Sequence, residues 1–144
     1  MLKTTLLQAT AAAGRIMKDS FNTSFTVSNK EGLNNLVTEV DHASEKAIID
    51  IVRHNFPDHF ILSEESGEIV TTSPFKWIID PIDGTINYAN GIPLCCVSIA
   101  VEHEGKIILG AVYNPFLDEL FFAEKGKGAT LNGKAVKVSA KTEV

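Results

Sequence analysis

Apolar residues recur along this 144-residue chain in two rhythms, a helical one at the start and a strand-like one from the middle onward. From Leu2 to about Lys18, residues Leu2, Leu6, Ala9, Ala13 and Ile16 fall at intervals of three and four, and Leu7, Ala11, Ala12 and Met17 widen the stripe. That spacing predicts a helix packed along one side, with Gly14 lowering its local helical preference. A second helix is predicted from about Glu39 to Asn55. Ala43, Ala47, Ile48, Ile51 and Val52 give it one apolar face, Thr38 and Asp41 approximate a capping box, and Phe56-Pro57 ends it. Between the two helices, Phe21, Phe25 and Val27 alternate with polar residues before the loop-like Asn29-Lys30-Glu31-Gly32.

The second rhythm begins at Phe60-Ile61-Leu62, a short strand, and continues with Phe75 to Ile79, a buried strand that Asp80-Pro81 stops. Cys95 to Val101 and Lys106 to Tyr113 read as a hairpin joined by Glu102-His103-Glu104-Gly105, and Asn114-Pro115 breaks its second arm. Glu119 to Glu124 is a further strand. Asn132-Gly133 marks a tight type I′ turn between two short ones. Helices first and strands afterwards imply an α+β fold, with two helices on one face of an antiparallel sheet. No repeat, low-complexity tract or linker divides the chain, so residues 1–144 are expected to form one domain.

Composition narrows the function classes. A hydrophobic content of 44% is that of a globular domain, and a net charge of −5 with 13 scattered basic residues provides no basic stripe, so no nucleic-acid partner is expected. No apolar run approaches the ~20 residues of a membrane span, and no signal-peptide core follows Met1, so the expectation is no membrane contact and a cytoplasmic location. Cys95 and Cys96 are adjacent, a poor arrangement for a disulfide, and read as small core residues. The four histidines have no zinc-ligand spacing.

The candidate chemistry lies in Asp80-Pro81-Ile82-Asp83-Gly84-Thr85. The strand before it delivers Asp80 at its end, and a turn fixed by Pro81 can bring Asp83 into the same small volume. Two close carboxylates repel unless a cation lies between them. Gly84 and Thr85 supply a backbone N–H and a hydroxyl at the start of a helix, where unpaired N–H groups hold anions. Metal on one side and phosphate on the other is the reading that follows. Asp41 in a first helical turn, the Glu64-Glu65 pair after a strand and Lys30 in a loop are further candidates; each also has an ordinary role, as helix stabiliser, solvated acids and solvated lysine.

The hexapeptide resembles the Asp-Pro-Ile/Leu-Asp-Gly-Thr signature of the inositol monophosphatase family of magnesium-dependent, lithium-sensitive phosphatases. Leu36-Val37-Thr38 with Asp41, the Glu64-Glu65 segment and Lys30 match further family segments in the same order. The resemblance implies the N-terminal half of a layered αβαβα fold and a Mg²⁺ bound by Glu64, Asp80 and the carbonyl of Ile82. It implies a second Mg²⁺ on Asp80 and Asp83, and leaves any third weakly held because Asn35 stands where many relatives have aspartate. It assigns catalysis to Thr85, ordered by Asp41, with Glu65 ordering water, and phosphate binding to Gly84, Thr85 and Lys30.

The implied activity is hydrolysis of a small sugar or inositol phosphate monoester. Family members continue into an α/β half with a Trp-Asp-x-Ala-Ala-Gly-like motif, whose aspartate completes the second metal site. The chain is therefore expected to be an N-terminal metal-binding domain, weakly active or inactive alone, associating as a homo-oligomer or with a C-terminal half. The alternatives are a noncatalytic metal- or phosphate-binding or interaction module and, among enzymes, a bisphosphate nucleotidase. Ile86-Asn87-Tyr88 after the Gly-Thr fits the inositol type better than the nucleotidase pattern.

Overall fold

The computed structural model describes residues 1–21, 27–29 and 36–142. Helix α1 (Leu2–Ser20) and helix α2 (Glu39–Asn55) pack side by side on one face of an eight-stranded sheet. A short antiparallel pair, β1 (Val27–Asn29) with β2 (Leu36–Thr38), stands apart from it. The sheet strands are β3 (Phe60–Ser63), β4 (Gly67–Ile69), β5 (Phe75–Asp83), β6 (Cys96–His103), β7 (Lys106–Asn114), β8 (Glu119–Glu124), β9 (Gly128–Leu131) and β10 (Lys134–Val136). Their spatial order is β10-β9-β8-β7-β6-β5-β3-β4, and a short third helix, α3 (Thr85–Ala89), follows β5.

The α+β class is as expected, and the sheet departs from the antiparallel expectation at one pair. Strands β3 and β5 run parallel, with Ser63 opposite Ile79. The reason is local: the β3–β4 hairpin returns the chain to the end where β3 began, so the short link from Val70 to Pro74 can start β5 in the same direction without a crossover helix. The remaining neighbours are antiparallel. Glu104-Gly105 and Asn132-Gly133 form two-residue connections with φ of 50° and 76°, and 48° and 78°, the positive values that type I′ turns require.

One layer of the core comes from alternate residues of the central strands, Trp77 and Ile79 on β5, Val97, Ile99 and Val101 on β6, and Leu109 and Ala111 on β7. The other comes from Leu6, Ala9, Ala13 and Met17 on α1 and Ile48 and Val52 on α2. Gly14 has a packing reason: a Cβ there would stand 2.5 Å from the Tyr113 ring, so its absence lets α1 approach β7 closely. The buried face of α2 is rotated from the one its apolar residues predict. It carries Val40, Asp41, Ser44, Glu45, Ile48 and Val52, while Ala43 is exposed, so the first turns of the helix turn acids and a serine inward. Among the described residues, no helix is long and apolar enough to cross a membrane.

Candidate metal centre

The parallel pairing of β3 with β5 determines which acids meet. Glu64 follows Ser63, and its N–H donates to the Ile79 carbonyl at 3.1 Å, so the ladder runs one residue beyond β3 and seats Glu64 beside Asp80. A regular strand would send Asp80 and Asp83 to opposite faces, since their separation is odd. The expected stop at Asp80-Pro81 is instead a bulge within β5: Asp80 pairs with Ser98 and Asp83 with Cys96, three steps on one strand against two on the other. Pro81 lacks the N–H that an unbroken ladder would use, and the extra residue resets the alternation.

The consequence is electrostatic. The Asp80 carboxyl is pushed up to about 7 by burial first, then by the charges of Glu64 and Asp83, a hydrogen bond with Glu64 and the charge of Asp41. Its Oδ1 is buried without a hydrogen-bond partner. Asp41 is buried on α2, whereas Glu64 and Asp83 are exposed at the rim. Three acids, from α2, from β5 and from the turn after β3, therefore converge on Asp80, and no described basic group figures among the causes of its shift.

The next residues shape the rim. Gly84 precedes α3 with φ of +92°, and a Cβ there would lie 3.0 Å from the Leu94 carbonyl oxygen and 3.2 Å from Cys95 Cβ, so both conformation and space call for glycine. The Thr85 hydroxyl donates to the Ile82 carbonyl at 2.9 Å. Asn87 bonds the Leu94 carbonyl at 2.8 Å and so ties down the turn rather than facing the acids. Tyr88 anchors α3 to α1 by donating to the Met17 carbonyl at 2.8 Å, and burial raises its hydroxyl to about 12. Glu65 is half-buried, held through its N–H by Glu45 at 3.2 Å. Lys30 and Asn35 lie outside the described residues, as do the side chains of Leu36, Val37 and Thr38.

The donor set fits a hard cation. The groups that raise Asp80 are carboxylates, its Oδ1 lacks a partner, and mutual repulsion makes a doubly charged ion the natural complement. Among the described residues, no three carboxylate, imidazole or thiol groups stand close enough to hold an ion by themselves. A backbone carbonyl, water and phosphate would complete the shell, as suits Mg²⁺, which keeps several waters. Cys96 lies 3.9 Å from Asp83, but burial and the neighbouring acids push its thiol up to about 11, so it stays protonated and a poor ligand.

The model of the inositol monophosphatase family matches residues 2–144. The chain belongs to the inositol monophosphatase family. It is 42% identical over 142 residues to inositol monophosphatase 3 of Solanum lycopersicum, covering 96% of this chain and 53% of that relative. It is 41% identical over 140 residues to Nus factor SuhB of Haemophilus influenzae, covering 96% of this chain and 52% of the relative. The extragenic suppressor protein suhB from Bartonella henselae superposes with a TM-score of 0.93 at 39% identity, over 97% of this chain and 55% of that one. This inositol monophosphatase family chain thus spans about half the length of the curated relatives it matches.

Sequence reasoning missed Glu45. It is 3% exposed and receives the N–H groups of Glu65 and Ser66. The signal was present in the four-residue spacing from Asp41, which places both acids on one face of α2.

Proposed function

We propose that the chain is the N-terminal, metal-binding half of a Mg²⁺-dependent phosphomonoesterase of inositol monophosphatase type, acting on a small sugar or inositol phosphate. The observation that carries the reading is Asp80, an acid driven toward neutrality by burial first and then by Glu64, Asp83 and Asp41, with a buried oxygen left unpartnered. Glu64, Asp80 and the Ile82 carbonyl would hold one Mg²⁺, and Asp80 with Asp83 would hold a second. Bound, the ions supply Lewis-acid stabilisation of phosphate charge and a more acidic water.

The chain's own residues would do the rest. The Thr85 proton is donated to Ile82, so the hydroxyl oxygen is left to accept a hydrogen bond from the attacking water and orient it. The second lone pair of the Ile82 carbonyl stays available to the ion. Asp41 would order Thr85 by taking that proton in place of the Ile82 carbonyl, Glu65 would order water, and the N–H groups of Gly84 and Thr85 with Lys30 would receive the phosphate. Cytoplasmic location, lithium sensitivity and a weak third ion near Asn35 belong to the same reading.

Association as a homo-oligomer or with a C-terminal half is also part of it. Exposed Val112 and Phe121 are paired neighbours on the sheet face away from α1 and α2. Sedimentation at several concentrations tests the first form of association.

Calorimetric titration with Mg²⁺ tests the metal assignment: the chain should release or absorb heat on binding, and Asp80→Asn should abolish it. Equal heats in the two proteins would remove the assignment. The second reading is a noncatalytic metal- or phosphate-binding or interaction module. It is favoured by relatives that carry the name Nus factor, and it predicts ion binding with no hydrolysis under any reconstitution.

A further inference from the structure

Glu45 is a buried carboxylate on the inner face of α2, a costly placement that needs donors to offset the lost hydration. Its Oε1 accepts from two successive backbone N–H groups, Ser66 at 2.9 Å and Glu65 at 3.2 Å, and its Oε2 accepts from the Ser66 hydroxyl. The buried Ser63 hydroxyl adds to the favourable field without meeting hydrogen-bond geometry. The three bonded donors belong to the turn that follows β3, the turn that carries Glu64 and Glu65.

We infer that Glu45 is a positioning residue, a clamp that holds the Glu64-Glu65-Ser66 turn so that Glu64 stands beside Asp80 ready to share a cation. The inference rests on the metal reading above. Glu64 is then pinned from both sides: its own N–H is bonded to Ile79 on β5, and the next two N–H groups are bonded to Glu45 on α2. Two consecutive amides on one carboxylate oxygen orient the peptide between them, and bonds to an ionised acceptor are about twice as strong as neutral ones. Because Asp41 and Glu45 are one helical turn apart, α2 directs one acid to the Asp80 cluster and the other to the turn beneath it. With its oxygens occupied by N–H and O–H donors, Glu45 serves the ion through the turn rather than as a ligand.

The test compares the 144-residue chain with Glu45→Ala, Glu45→Gln and Ile48→Val, the last a small core truncation on the same helix that leaves the turn untouched. Mg²⁺ affinity is read by calorimetry, and amide hydrogen exchange at Glu65 and Ser66 is read in the ion-free protein. Loss of a partner behind a metal ligand typically weakens binding about 10–100-fold. Glu45→Ala should do so and speed both amides, whereas Glu45→Gln, which keeps an acceptor oxygen for them, should stay much nearer the parent in both measurements. Ile48→Val should change neither. Should Glu45→Ala fail to fold, Glu45→Asp carries the test, since it keeps the charge and loses the reach, and should shift both readouts in the same direction. Unchanged affinity and exchange in the Ala or Asp variant overturns the clamp, as does an equal loss in Ile48→Val. If the parent chain binds no Mg²⁺ at all, the metal reading fails, and exchange at Glu65 and Ser66 alone decides whether Glu45 holds the turn.

Discussion

The indole N–H of Trp77 donates to Nδ1 of His59 at 3.0 Å. His59 lies in a column of stacked rings, 4.5 Å from Phe56 and 4.9 Å from Phe75, which in turn stacks 4.2 Å from His103. Trp77 is fully buried, so its single polar atom needs that acceptor, and the bond requires an unprotonated Nδ1. Burial holds the His59 imidazole below its ordinary 6.5, against the opposing charge of Asp58.

Acid stability should follow from this pair. The unfolded chain binds a proton at His59 more readily than the folded one, so the stabilisation is present above about pH 6.5 and is lost as pH falls through that value and below. Denaturation followed by the emission of the lone tryptophan should show a midpoint that drops between roughly pH 7 and pH 5. His59→Phe keeps the stack and strands the indole N–H. It should cost about 1–3 kcal/mol at neutral pH and reduce the pH dependence in that window. An unaltered pH slope would count against His59 as its source.

Asp80 should act with the opposite sign. Its folded value of about 7 lies above the ordinary 3.8, so the folded state holds the proton more tightly, and stability from this group declines as pH rises from about 4 to about 7. Glu45 works against that trend: burial alone would raise it, but its hydrogen-bond donors lower it overall, so its contribution is lost on acidification. In Asp80→Asn the decline through the first window should flatten, and saturating Mg²⁺ should raise the parent's melting temperature more at pH 7 than at pH 5. Equal increments at both values would show that the carboxyl does not carry the linkage.

Two glycines separate backbone preference from packing. At Gly14, helix propensity alone predicts that alanine stabilises by about 1 kcal/mol, whereas a Cβ 2.5 Å from the Tyr113 ring predicts an overpacking cost of about 1–3 kcal/mol. Gly14→Ala should therefore lower stability in urea. Gly84→Ala adds the penalty of a left-handed backbone, about 1–2 kcal/mol, to a clash with the Leu94 carbonyl, and should weaken Mg²⁺ binding by displacing the turn after Asp83. A stabilised Gly14→Ala would mean that Tyr113 yields without cost.

Catalysis separates the two functional readings. Losing one element of electrostatic stabilisation commonly costs ~10²–10³ in rate, so the 144-residue chain alone should hydrolyse phosphate monoesters poorly. Adding the C-terminal half of a full-length relative should restore Mg²⁺-dependent hydrolysis, and Thr85→Ala should remove it again. A demonstrated complex that stays inactive would favour the binding module, and full activity of the chain alone would make the second half dispensable for the chemistry.

The amino-acid sequence by itself determined the two long helices, most strands of the sheet and the candidate chemistry of the Asp80-to-Thr85 segment. The bounds of α2 and β8, the tight turn at Asn132-Gly133 and the Asp80-to-Thr85 segment were legible because local propensity and side-chain chemistry act over a few residues, whereas the other hairpin is tighter than the four-residue joint expected from Glu102 to Gly105. What it could not reveal was which residues meet across the chain. The parallel partner of β5 came from a hairpin that reverses β3, and only that register sets Glu64 against Asp80. The bulge that resets the alternation between Asp80 and Asp83 appears only in the pairing of β5 with β6, and the inward turn of Asp41 and Glu45 only in the packing of α2, whose buried face departs from its apolar stripe. Charge repulsion at Asp80 is a property of that assembly: it depends on distances among acids lying far apart in sequence, which exist only once the strands and helix are in contact.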